Sequence, residues 1–117
     1  MNKIIDKKKA AHYSWGSNCD SWILTETTSL SVKQETMPPG TKEQLHFHTN
    51  AQQFFFILKG IATFYIDNSK AIVSEQQGLL IDKKSHHFIA NETNAPLEFL
   101  VVSQPPVHKD RTNMSVN

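Results

Sequence analysis

Short apolar or alternating runs follow one another along this chain, each ended by turn residues before any helical period can develop. In 30–37, Leu30, Val32 and Gln34 share one side and Ser31, Lys33 and Glu35 the other, the alternation of a half-buried strand. Pro38-Pro39-Gly40 stops it, because proline cannot donate to a ladder and glycine tolerates the turn. Further strands are expected at 22–24, 45–48, 53–58, 61–66, 71–74, 78–81, 87–91 and 97–102. So many strands need their edges closed or covered, which predicts an all-β fold of jelly-roll barrel type. A single barrel is expected over 21–104. A loose arm over 1–20 precedes it, and a mobile polar tail over 105–117 follows Pro105-Pro106.

Composition narrows the function classes. The 117 residues are 38 % apolar and 20 % charged with a net charge of +1, which suits one soluble domain rather than a nucleic-acid surface. Lys7-Lys8-Lys9 is too short a run to change that and reads as a solvated face. No apolar run approaches the ~20 residues that span a bilayer, and no signal-peptide core is visible at the start. The lone Cys19 excludes an internal disulfide, and a reducing cytoplasm is expected. The run Phe54-Phe55-Phe56-Ile57-Leu58 is apolar on both faces of a strand. One face fills the barrel and the other needs a cover, which predicts a homodimer.

The chemistry concentrates in the stretch 40–60. His46 and His48, two apart on a strand, present both imidazoles to one face, and Gln53 opens the next strand. Two imidazoles and an oxygen donor across a short turn form a three-point metal cradle; the alternative is a pair of ordinary buried or surface histidines. Phe55 shares a face with Gln53 and would line the cavity, whereas Phe47 points away from it. His86 is expected outside if His87 is inside, and His12 and His108 face solvent. Tyr65 and Glu35 are possible acid/base groups. Trp15 and Trp22 pack at a contact or lid the barrel mouth.

The intervals from Gly40 through His46, His48 and Gln53 to Gly60 resemble the first motif of the cupin superfamily, with glutamine where that motif has glutamate. His87 and Asn91 match the end of its second motif. The proline and both glycines of that motif fall on Asp82, Gln76 and Lys84. The region 37–106 is similar to small single-domain cupins throughout, and that resemblance implies a double-stranded β-helix. It also implies His46, His48 and His87 as ligands of a divalent transition metal (Fe, Mn, Ni, Zn or Cu), with Gln53 as oxygen donor. An amide carries no charge, so such an ion would keep its full +2 and attract an anionic ligand. The function expected is a metal-dependent enzyme of dioxygenase or isomerase type, acting on a small oxygenated or anionic molecule. Alternatives are a non-catalytic metabolite-binding module and a dimeric scaffold with a degenerate site.

Overall fold

The computed structural model describes residues 3–115, which form eleven strands in two antiparallel sheets and no helix. The strands are β1 (Ala11–Trp15), β2 (Cys19–Glu26), β3 (Ser31–Met37), β4 (His46–Phe47), β5 (Gln52–Lys59), β6 (Ala62–Ile66), β7 (Ser69–Val73), β8 (Gly78–Ile81), β9 (His87–Ala90), β10 (Leu97–Gln104) and β11 (Thr112–Asn113). One sheet has the order β1-β2-β3-β10-β5-β8 and the other β11-β4-β9-β6-β7. No helix among the described residues is long and apolar enough to cross a membrane.

Local chemistry sets the corners. Asp67 and Asn68, with φ of 44° and 70°, form the two-residue turn joining β6 to β7, where a turn of matching twist needs both residues left-handed. Gly60 has φ of 89°, and a Cβ there would meet the carbonyl oxygen of Pro96 at 2.6 Å, so a side chain is excluded twice over. Between the sheets, Phe55 and Phe99 from one face Phe64 and Ile89 from the other. Phe55 meets the ring of Phe64 edge-on at 5.0 Å. Asn91 ties the loop beneath this core. Its amide donates to the carbonyls of Met37 (2.9 Å) and Ala95 (2.8 Å), while its Oδ1 accepts from the N–H and hydroxyl of Thr93.

Two segments differ from expectation. The arm over 1–20 contains β1, which pairs along its whole length with β2, from Ala11↔Ile23 to Trp15↔Cys19. The tail over 105–117 contains β11, which pairs with β4. β1 alternates Ala11, Tyr13 and Trp15 with His12 and Ser14, but over only five residues; the backbone ladder holds both strands, with Trp15 packing on the core.

The face of β3 is also the reverse of what apolar-inward alternation implies. Lys33 and Glu35 point into the barrel, while Val32 lies on the outer surface. The reason is that this part of the interior is a polar cavity. On the outer face, Leu80, Phe54, Val102 and Val32 are successive cross-strand neighbours, and Phe54 and Leu80 are 40 % and 53 % exposed.

Candidate metal centre

β4 and β9 are antiparallel neighbours with His46 directly opposite His87, so both imidazoles emerge on the same side of the sheet. His48, two residues along, joins them. The ring centroids are 4.3 Å apart for His46–His87, 4.9 Å for His46–His48 and 5.6 Å for His48–His87. One nitrogen from each of the three lies within 4.8 Å of the others, and all three residues are buried.

The other nitrogen of each ring is engaged by the backbone. His46 Nδ1 donates to the carbonyl of Gln44 (2.8 Å), His48 Nδ1 to that of Asp110 (2.7 Å) and His87 Nδ1 to that of Ser85 (2.9 Å). A carbonyl only accepts, so these bonds place each proton on Nδ1 and turn the Nε2 lone pairs toward one another. His48 Nε2 is buried without a hydrogen-bond partner, the kind of orphaned acceptor an ion would satisfy.

Burial first, then the neighbouring positive charges, push the His46 imidazole down to about 3. The same causes push His87 down to about 4, and His48 is also lowered. At neutral pH all three are therefore neutral ligands.

Gln53 enters from the facing sheet. Its amide Nε2 donates to the hydroxyl of its cross-strand neighbour Ser103 (2.9 Å), which leaves Oε1 directed at the histidines, 3.3 Å from His87 Nε2. The donor set of three neutral imidazoles and an amide oxygen suits a borderline divalent ion.

Other expected positions sort cleanly. His86 lies outside, stacked on the outward-pointing Phe47 at 4.9 Å. His12 and His108 are exposed. Tyr65 is away from the cavity, donating to Glu92 on the outer surface, so an acid/base role there is excluded by position. Trp22 packs outside with His12, and Trp15 lines the cavity.

Glu35 does face the cavity, bonded to the Ser21 hydroxyl, and burial raises its carboxyl above the usual range. Sequence reasoning missed Glu43 and Arg111. Both line the same cavity of about 150 Å³ with His46, His48 and Gln53. Burial pushes Glu43 up to about 8, and its Oε2 is 3.8 Å from Arg111 Nη1.

A family model described as Cupin domain matches residues 33–103, more than half of the chain. The chain belongs to the cupin family. This cupin is 32 % identical over 84 residues to an uncharacterised protein of Methanocaldococcus jannaschii, a match covering 72 % of this chain and 67 % of that one. It is 27 % identical over 113 residues to a putative mannose-1-phosphate guanylyltransferase of Vibrio cholerae, covering 87 % of this chain but only 24 % of that protein. Among solved structures, a cupin-superfamily sugar phosphate isomerase from Silicibacter pomeroyi superposes with a TM-score of 0.81 at 18 % identity, covering 97 % of this cupin and 83 % of that chain. At that identity the likeness is one of fold.

Proposed function

We propose that this cupin is a metal-dependent enzyme of isomerase type, moving a proton on a small oxygenated anion held in the cavity. His46, His48 and His87 would hold the ion through Nε2, and Gln53 through Oε1. The observation that carries this reading is the shared orientation of the three imidazoles, each with Nδ1 bonded to a backbone carbonyl. A divalent ion bound there would supply Lewis acidity, polarising a carbonyl or carboxylate oxygen of the ligand.

The chain's own contribution is the pair Glu35 and Glu43. Glu43 Oε1 accepts the N–H of Ile89 (3.1 Å), so Oε2 is the oxygen that carries the proton. With its carboxyl pushed up to about 8, Glu43 holds a proton near neutrality yet releases it readily, as a general acid must. Dioxygen chemistry needs no such group, and this favours proton transfer over oxidative cleavage. Elemental measurement on protein purified without an affinity tag should find close to one equivalent of a transition metal per chain, lost on chelation. Metal-free protein that also fails to take up zinc or cobalt on titration would end this reading.

The apolar row on the outer sheet face supports a homodimer covering Phe54 and Leu80. Light scattering should give twice the chain mass, reduced to the monomer value in Phe54→Lys. A monomer at every concentration would exclude it.

A further inference from the structure

The segment from Val107 to Asn113 lies outside the stretch matched by the cupin model, yet it forms a wall of the cavity. It is anchored on both sides of Arg111. On one side, the Asp110 carboxylate accepts the N–H groups of Thr49, Asn50 and Ala51, each at 2.9 Å, while its carbonyl takes the Nδ1 proton of His48. On the other, Thr112 and Asn113 pair with Phe47 and His46, and Met114 N–H reaches the Leu45 carbonyl at 2.8 Å. The strap is thus bonded to the strand that bears the histidines, and the backbone of Arg111 is fixed beside them.

The guanidinium of Arg111 is underused. Its Nε donates to Asn113 Oδ1 (2.8 Å), but among the described residues neither Nη makes a hydrogen bond. The nearest carboxylate oxygen, on Glu43, is 3.8 Å away, too far for a direct bond. Its charge nonetheless bears on all three imidazoles. A second cation, Lys33, lines the same cavity from β3, its ammonium donating to the Tyr13 hydroxyl at 2.8 Å. The acidic groups facing these cations are Glu35 and Glu43, both partly buried and both held toward the neutral form, so they leave the two positive charges largely uncompensated.

We propose that Arg111, assisted by Lys33, forms an anion subsite that reads the carboxylate of a small ligand beside the three histidines. The planar fork of donors matches two carboxylate oxygens at once, which a lysine alone does not. The cavity is smaller than the roughly 300 Å³ at which drug-sized pockets begin, so the ligand is a compact carboxylic acid of few carbons. This deepens the proposed function, because the same cavity is taken as the ligand site.

Glycolate is the probe, with inorganic phosphate as comparison, each titrated by nuclear magnetic resonance into cobalt-loaded and metal-stripped protein. Arg111→Gln should weaken glycolate binding by about tenfold or more, the scale of a lost charge-assisted pair, with thermal unfolding and cobalt uptake retained. Arg111→Lys should lie between. Lys33→Gln, on a different element, should weaken glycolate several-fold and keeps the test open if Arg111→Gln does not fold.

Wild-type affinity in both glutamine variants would overturn the subsite, as would no glycolate binding to either form of the wild type. Arg111-dependent phosphate binding without glycolate binding would overturn the carboxylate class. Failure of the metal reading is separately visible: cobalt would not be taken up, while Arg111-dependent glycolate binding to the metal-stripped protein would still support the subsite.

Discussion

Changing His87 to alanine should lower metal affinity by more than about 100-fold, since even the loss of a group that merely orients a ligand costs roughly 10–100-fold. His87 faces His46 across the β4–β9 ladder, and its Nε2 is one of the three converging lone pairs, so its removal takes away a donor atom outright. Ser103→Ala should act more mildly, by about tenfold, because it frees the Gln53 amide to turn without removing a donor atom. Gln53→Glu should have the opposite sign. A carboxylate adds a negative charge facing a dication, and the Ser103 hydroxyl can rotate to donate where it had accepted. Competition with a chromophoric chelator measures all three. Unchanged affinity in His87→Ala would remove the site assignment, and weaker binding in Gln53→Glu would show that Oε1 does not face the ion.

What was readable from residues alone follows from the range of the interactions involved. Strand periodicity and turn chemistry act over a few positions, so β3, β5, β6, β8, β9 and β10 were legible within a residue or two. The Asp67-Asn68 corner was legible for the same reason. β1 was not, because its alternation spans only five residues, four of them exposed, and pairing with β2 supplies most of what makes it a strand. β3 was found, but which of its two sides faces inward was not legible. Apolar-inward alternation assumes an apolar interior, whereas Lys33 and Glu35 look into a polar cavity.

The histidines were legible because alternation places His46 and His48 on one face, and the family resemblance added His87. Glu43 and Arg111 meet across 68 positions of chain, and Asp110 reaches Thr49 across 61, so no local spacing announces either contact. The tail that reads as a polar end is, in the folded chain, part of the site.

The same buried groups set how stability should respond to pH, and here the signs oppose one another. In metal-free protein His46 and His87 titrate at about 3 and about 4, and His48 is lowered too, against an ordinary value of 6.5. Below pH 6.5 the unfolded chain binds protons that the folded chain refuses, so stability falls as the solution becomes more acid. Glu43 runs the other way. It titrates at about 8 when folded against 4.5 when not, so between those values the folded chain keeps a proton the unfolded chain has shed, and stability falls as pH rises. Glu35 adds to that limb.

From 4.5 to 6.5 His46 and His87 outweigh Glu43, while His48 and Glu35 are shifted in directions that oppose each other; above 6.5 only the carboxyls remain. Chelator-treated protein should therefore be most stable near pH 6.5. From there to pH 8 Glu43 alone should cost about 2 kcal/mol, at ~1.4 kcal/mol per pH unit for one proton. Urea unfolding across pH tests this directly. Glu43→Gln, which keeps an oxygen for the Ile89 N–H and has no proton to lose, should flatten most of the alkaline limb. A limb that persists unchanged in that variant would show that Glu43 is not the protonated acid the proposed chemistry requires.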